Sequence, residues 1–533
     1  MKKIFYTFFF LIAFTLLAPL QSSAQIDYNP GIRFNSEEAT EGYVLFQDDR
    51  SSVYLIDNCG RIVHRWPGSI FSEKHPKLLP NGNLLYMSGD DIIQRDWNGN
   101  VVDRLSVGGN GLDLAYEVIL LPNQNYLCVV RRRFSAFDFQ RIGYDVPGTT
   151  PNQMDGVVEF DRNTGGIVWQ WRLSDHVIQE RDATAPNYGI LSENPQLINM
   201  DAVSTYDWNF IESFMINGMD YNPELDQIAL SVRKISEVII IDHSTTTLEA
   251  AGSTGGRYGK GGDILYRWGN PYNYRRGSPE DRVLFFQHNP NWIEYGPHKG
   301  KMICYNNGLN RPGVTFENRY STAPIFDPAT DGPGNYVIEE GEAFQPVQPN
   351  VSFDRISTNT PFYSSYTSGA KVMPNGNIFI TEGVNGRLIE IDSTGKEVWS
   401  YVVPDVSYIF RTEKYPIDYP AFEGRDLTPL GTLESPPSDY NCQLITSTED
   451  LPLQRPSFQV HYFRDGHGVQ VLLEDQSTFQ LRMIDLQGRV LREAQNLQGT
   501  HDLFFGSLPA GLYIVQLQTN KATPWQSYKI VVP

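Results

Sequence analysis

From about residue 42 to 405, short runs of β-branched, aromatic and leucine side chains alternate with polar positions and are broken by turns rich in Asn and Gly. A period of two puts successive side chains on opposite faces of a strand, and Asn-Gly pairs supply the positive backbone angles of tight hairpins. Two half-units recur. One reads KLLPNGNLLYMSG from Lys77, VILLPNQNYLCVV from Val118 and KVMPNGNIFITEG from Lys371. The other reads VYLIDNCGRIVHRW ending at Trp66, VVEFDRNTGGIVWQW ending at Trp171 and LIEIDSTGKEVWSY ending at Tyr401. Short, evenly spaced strands in a unit of roughly 40 to 60 residues predict an all-β fold, a β-propeller, and pairing the half-units gives about six blades. A β-sandwich or solenoid is the competing architecture. Helix is scarce, and the polar segments 174–200 and 244–262 read as excursions on one face, where the long inserts of a repeat protein build its binding site.

Between Pro404 and Arg455 the alternation dissolves into Pro, Ser, Thr and Asp, which predicts a closing segment followed by a linker. From about Ser457 a new rhythm of short strands and Gly turns fits a small C-terminal β-sandwich. Its runs MIDLQGRVL, LPAGLYIVQLQ and the closing KIVV resemble the C-terminal sorting domain of the type IX secretion system of Bacteroidetes. That resemblance implies export across the outer membrane with the type IX machinery as partner; an ordinary accessory sandwich is the alternative. At the other end, Lys2 and Lys3, the apolar run FYTFFFLIAFTLLAPL and the small residues Ser22, Ser23 and Ala24 have the layout of a cleavable secretory signal. The apolar run is short for a bilayer span, which needs roughly 20 residues. The expected organisation is therefore a signal peptide over 1–24, a propeller over 25–440, a linker over 441–456 and a sandwich over 457–533. The mature chain is expected to be secreted or held at the cell surface after passing through the periplasm, without a stable membrane span.

The formal charge of −19 and pI near 4.9 exclude a nucleic-acid partner, because phosphate binding needs a basic face. Against that acidic background, local Arg and His clusters become informative. Cys59, Cys128, Cys304 and Cys442 lie far apart with no CxxC spacing, which indicates neither zinc nor a dense disulfide framework. One or two disulfides suit an oxidising compartment, and buried thiols suit the pattern equally. The acidic, Gly-rich FDPATDGPGN segment around Asp327 and Asp331 lacks the ligand spacing of a calcium loop. No cofactor or metal is expected.

Candidate chemistry concentrates between Asn222 and Gly308, where Arg233, His243, Arg267, Trp268 and His288 stand among apolar strand-like runs. The segments NPELDQI, EVIIIDHSTTT, GGRYGKGGDILYRWGNP, QHNPNWI and YNNG, with the later SGAKVMPNGNIFITEGVNGRLIEID and EVWSYVVP, resemble the arylsulfotransferase family over most of residues 40–405. The resemblance implies a six-bladed propeller that transfers a sulfuryl group from a phenolic sulfate to a phenolic acceptor without a nucleotide donor. Such a reaction needs a nitrogen nucleophile and cationic or hydrogen-bonding groups for the charge on the sulfuryl oxygens and departing phenolate. His288 and Arg311 resemble the family's charge-stabilising pair, and Asn306 or Asn307 adds a donor. Arg233, His243 and His176 complete the candidate substrate-binding set, although His243 after Asp242 and His176 in LSDHV also suit structural histidines. For His64, His75 and His298 the structural reading dominates.

The chain departs from the family pattern where a histidine is expected before SGA. It reads FYSSYTSGA, with Tyr366 in that place, and DWNFIESFMIN likewise lacks a family histidine. Three accounts follow: His288 or His176 serves as nucleophile, Tyr366 does so despite a phenol pKa of about 10, or the funnel binds aromatic or sulfated ligands or a surface partner without turnover. Arg233, His288, Arg311 and Tyr366 are expected to meet in one polar funnel.

Overall fold

The computed structural model describes residues 29–49, 51–67, 75–108, 111–143, 153–202, 214–356, 360–434 and 442, and then 458–462, 468–473, 478–485, 489–498, 500–504, 511–518 and 526–532. The secretory-signal expectation and most of the expected linker fall outside these residues. The chain divides into two compact units, Met1–Leu444 and Ile445–Pro533. Among the described residues helix is confined to short segments such as Ala136–Arg141 and Thr247–Ala250, and none is long and apolar enough to cross a membrane.

The repeated sequence motifs become repeated turns. In PNGN, PNQN and PNGN, the third residue (Gly82, Gln124, Gly376) has a φ of 85°, 71° and 89°. Each turn is closed in the same way, with Gly82, Gln124 and Gly376 donating to Leu79, Leu121 and Met373. The Asn side chain at the second position accepts from the backbone two residues on, at 3.0 Å in all three. In the other half-unit the acid that recurs between the repeats is the turn's cap: Asp57, Asp161 and Asp392 each accept backbone N–H groups of their own loops. A short carboxylate side chain offers the backbone this local partner, which is why Asp rather than Glu stands there.

Among the described residues of the first unit these hairpins form six antiparallel sheets of four or five strands. The edge strands that lead the sheets are Lys77–Leu78, Leu112–Leu120, Ile216–Asn222, His288–Trp292, Gly369–Val372 and Glu413–Pro416. Two sheets join the ends of the unit. Glu413–Pro416 leads a sheet continued by Gly42–Gln47, with Tyr43 opposite Tyr415, and Gly31–Asn35 adds a fifth strand beside Glu397–Val402. Leading strands of successive sheets touch, Leu112–Leu120 with Ile216–Asn222, then His288–Trp292, then Gly369–Val372. Buried tryptophans near the trailing strands stitch sheets together: Trp171 donates to Gly262, Trp268 to Pro346 and Trp399 to Asn58, each at 2.7 Å. The core lies between sheets in several separate apolar clusters.

All six leading strands send a charged side chain to one place. Lys77, Glu117, Asp220, Lys371 and Glu413, with Glu294 just past its strand, act on one another electrostatically. Lys371 keeps 42% of its side chain accessible, and the Glu413 carboxylate, with Glu294 and Asp220, holds its ammonium above the usual lysine range against the effect of burial. Burial raises the Asp220 carboxyl to about 6 against the pull of Lys371 and Lys77.

The second unit holds a three-stranded and a four-stranded antiparallel sheet. Phe479, Leu481 and Met483 alternate with more exposed neighbours on one strand, and Tyr513, Val515 and Leu517 do so on the strand paired with it, giving the sheet one buried face.

Candidate active site

At or just before the start of the leading strands, the chain makes a series of left-handed turns without glycine. Met215 (φ 63°), Phe286 (59°), Asn289 (54°), Thr367 (58°) and Ser368 (85°) sit there, and Tyr116 (48°) sits at a bulge inside Leu112–Leu120. A non-glycine residue in this region costs roughly 1–2 kcal/mol, and such strain is retained where surrounding structure re-aims side chains. Gly369 of the SGA segment is needed for close approach: a Cβ there would lie 2.6 Å from the Asn289 side chain and 2.8 Å from that of Arg411.

His288, 4% exposed, begins its strand and bulges away from the ladder between His288 and Asn291. Its Nδ1 lies 2.6 Å from Asn307 Oδ1. The Asn307 amide is fixed from the other side, because its Nδ2 donates to the carbonyls of Ser364 (2.7 Å) and Thr367 (3.1 Å). The amide oxygen therefore faces the imidazole, and Nδ1 carries the proton that it accepts. Among the described residues Asn307 is the side-chain hydrogen-bond partner of the ring, and the Phe286 carbonyl also acts on it. Burial, reinforced by the Arg233 charge and to a lesser extent Arg411, pushes the imidazole down to about 3, although Asn307 and the Phe286 carbonyl oppose this. His288 is neutral in every ordinary buffer.

The two guanidiniums acting on His288 come from different sheets. Arg233 is 6% exposed, stands over the Phe286 ring at 4.9 Å and reaches Met215 Sδ at 3.7 Å. Arg411, 4% exposed, is bonded to Glu117 and lies 2.9 Å from His75 Nε2, so His75 offers a lone pair and is itself neutral. Burial and then Arg411 and Lys77 hold His75 well below the usual imidazole range. Arg411 and Lys77 likewise keep Glu117 ionised against the effect of burial. Phe410 joins these groups, stacking on His75 (5.8 Å) and Tyr116 (6.2 Å) and meeting the His288 ring edge-on at 6.4 Å.

The remaining sequence candidates are placed elsewhere or differently. Asn306 faces away from His288: its Oδ1 accepts from Phe285 N and its Nδ2 donates to Val283 O and Thr322 Oγ1. Neighbouring residues of an extended segment point to opposite sides, so Asn307 takes the imidazole and Asn306 braces the loop. His243 bonds Asp226 through Nδ1 (2.7 Å) and Glu159 through Nε2 (3.1 Å). Burial opposes its charge, yet the two carboxylates raise it to about 9. His176 bonds Asp263 and the Ala250 carbonyl and stacks on Trp171. Neither ring has a nitrogen to spare, and neither shares a partner with His288. Arg267 is locked to Glu237 with both groups fully buried. Arg311 lies between Phe285 and Tyr320, and Arg233 and Arg411 are the cations that bear on His288. Tyr366 is 43% exposed, with its ring against Tyr408. Its loop reaches His288 through Asn307, by way of the Thr367 carbonyl.

Arg411, His75, Glu117 and Phe410 were not among the sequence candidates. The available signal was YIFRTEKYP, where Arg411 and Glu413 alternate inward although the segment follows the apparent end of the repeats. No group of three or more His, Cys, Asp or Glu arranged to hold a metal ion occurs among the described residues.

The family profile described as Arylsulfotransferase (ASST) matches residues 21–408, well over half of the chain. No curated protein matches it. Among solved structures, a protein of unknown function from Bacteroides caccae is 10% identical, with 70% of this chain and 98% of that one covered at a TM-score of 0.38. The Cps50 (Swd1) β-propeller domain of Myceliophteria thermophila is 10% identical, covering 72% and 89% at a TM-score of 0.34. A streptogramin B lyase is 12% identical, covering 71% and 85% at 0.29.

Proposed function

Because the chain belongs to the arylsulfotransferase family, we infer that it moves a sulfuryl group from a phenolic sulfate ester to a phenolic acceptor, with His288 as the nucleophile that carries it between them. The observation behind this reading is a buried, neutral imidazole whose Nδ1 faces the Asn307 oxygen and whose Nε2 has no side-chain partner among the described residues, with two arginines acting on it. In the first half-reaction Nε2 attacks sulfur, the sulfur–aryl oxygen bond breaks and the phenolate leaves with the bonding pair. The imidazole becomes cationic as the nitrogen–sulfur bond forms, and the Asn307 oxygen, accepting from Nδ1, stabilises it. Arg233 and Arg411 offset charge on the sulfuryl oxygens. In the second half-reaction the acceptor oxygen, its proton lost to solvent, attacks sulfur and returns the pair to Nε2.

The same reading takes the first unit as a six-bladed propeller: six sheets, closed by strands from both ends of the unit, converge through one charged side chain each. It takes the second unit as a β-sandwich that type IX machinery reads as an address, in a protein released to the cell surface or beyond. Fractionation with and without residues 457–533 tests that part, since retention in the periplasm is expected on truncation.

The test of the chemistry is incubation with a chromogenic aryl sulfate and a phenol. Release of chromophore that depends on acceptor, a mass gain of one sulfuryl group on His288 without acceptor, and loss of both in His288→Ala are expected. Tyr366→Phe is expected to keep transfer, because the Tyr366 ring lies against Tyr408. Binding of the aryl sulfate with no release at any pH would favour the non-catalytic reading, which the tyrosine in place of the family's histidine supports.

A further inference from the structure

His75, just before the leading strand Lys77–Leu78, carries a donor that the protein itself does not use. The residue is 8% exposed. Its Nε2 accepts from Arg411, with Nη2 at 2.9 Å and Nε at 3.2 Å, and the Glu117 carboxylate lies on the same side, 4.0 Å from Nε2. A guanidinium only donates, so the Nε2 lone pair is committed and the proton of this neutral ring is on Nδ1. Nδ1 is buried, and no described residue accepts from it. The two nitrogens lie on opposite flanks of an imidazole, so this N–H faces away from the Arg411 and Glu117 pair. A buried donor without an acceptor is a cost that folded proteins seldom keep outside a functional site.

The surroundings of His75 say what kind of acceptor fits. The half-buried Phe410 ring lies nearly parallel to the His75 ring at 5.8 Å and stacks on Tyr116 at 6.2 Å, and His288 meets it edge-on at 6.4 Å. Phe410 is therefore a wall shared by the two imidazoles. Arg233, the stronger of the two cations acting on His288, approaches from the Phe286 side. A sulfuryl group held toward Arg233 leaves the aromatic side of the centre, Phe410 and Tyr116, for the aryl ring. The oxygen that joins ring to sulfur then falls between the two histidines. That oxygen is where negative charge develops as the bond to sulfur breaks.

We propose that the Nδ1–H of His75 is the donor for the aryl oxygen: it hydrogen-bonds the departing phenolate without giving up its proton, and it receives the acceptor as a phenolate in the second half-reaction. This rests on the transfer reading for which bond breaks, but its own test requires no turnover. The probe is 4-nitrophenol, whose ionised form is read by its visible absorbance, titrated with pH while bound to the full chain. The bound phenol is expected to ionise at least about one pH unit below the free one, a tenfold preference for the anion. Two variants, each confirmed as folded by its thermal unfolding transition, separate this role from a purely structural one. His75→Gln keeps an acceptor for Arg411 in the place of Nε2 but has no donor in the place of Nδ1, whereas His75→Asn keeps the donor and removes the acceptor. Ionisation of the bound phenol is expected to move up by about one pH unit in His75→Gln and by less than half of that in His75→Asn. Failure of the unaltered protein to bind 4-nitrophenol, ionisation of the bound phenol as in water, or a rise in His75→Asn without one in His75→Gln would overturn the assignment. The lowered ionisation in the absence of any sulfuryl transfer would sink the transfer reading and leave the donor standing.

Discussion

His288 and His243 are the same side chain set to opposite chemistry by what surrounds them. His288 is buried beside two cations and is neutral, whereas His243 is held between two carboxylates and is charged. For His288 the controlling residue is Asn307, which fixes the tautomer and touches no substrate in the proposed reaction. Asn307→Ala is expected to lower kcat about 100-fold, the loss typical of a misaligned reacting group, with KM changed less than about twofold. Steady-state rates with an aryl sulfate check this, and a raised KM at unchanged kcat would place Asn307 in substrate binding instead. For His243 the folded pKa of about 9 lies above the reference 6.5, so folding takes up a proton as pH rises between them. Its contribution is complete below pH 6.5 and disappears as pH passes through about 9, on the order of 2–3 kcal/mol. Denaturant unfolding of the unaltered protein and His243→Gln should differ clearly at pH 6 and converge by pH 10. At this scale the sequence pointed to His288 and Arg233 but not to their partners. Asn306 and Asn307 are indistinguishable in YNNG, and only strand direction decides which one meets the imidazole. His75 and Arg411 are 336 residues apart along the chain, and nothing local in either marks the contact.

Among the elements, the hairpins were the most legible, because a turn's backbone angles are imposed by residues within it. PNGN and PNQN adopt one conformation, and the exception is informative. Gln124 holds a left-handed φ of 71° where the other two copies have glycine. Gln124→Gly is expected to raise stability by about 0.5–1 kcal/mol, the steric relief outweighing the greater freedom of the unfolded glycine. The exposed 3.4 Å contact of its side chain with Arg162 is worth little beside this. A thermal midpoint that stays level or falls would show that the loop is not strained. The left-handed residues around the site, Met215, Phe286, Asn289, Thr367 and Ser368, had no such signal. Among them only Asn289 is of a type that visits these angles readily, and Met215, Phe286, Thr367 and Ser368 hold them at a steric cost. Arg267 carries the opposite lesson: a costly polar group inside an apolar run marked a buried structural pair with Glu237, not the chemistry.

At the scale of the first unit, the pairing of strands from its two ends is the organising feature. Strands from both ends of the first unit share two sheets, and a disulfide between Cys59 and Cys442, 383 residues apart, ties the segment after the last sheet back to the first. The sequence left one or two disulfides and buried thiols equally open; the structure pairs these two and buries Cys128 and Cys304 as thiols. A bond spanning so long a loop restricts the unfolded chain, and its loss in Cys59→Ser is expected to cost about 2–4 kcal/mol. Calorimetry with and without reductant checks this: the unaltered protein should lose stability in reductant, and the variant should not respond.

What the sequence determined by itself is whatever is settled within a few residues. The period of two, the turn signatures and the recurring half-units fixed an all-β chain of stacked hairpins, and the long shared runs identified the family. What only the tertiary structure decided is which side chains meet. Residues in or next to strands that lie dozens of residues apart, among them His75, Glu117, His288 and Arg411, meet in one place, so the site is assembled by the convergence of several sheets rather than by any segment. The stretch from Asn222 to Gly308 supplies His288, Asn307 and Arg233. Arg411, Glu117 and His75 reach it from other sheets, because convergence depends on the path of the whole chain and leaves no periodic trace in the composition of any one part.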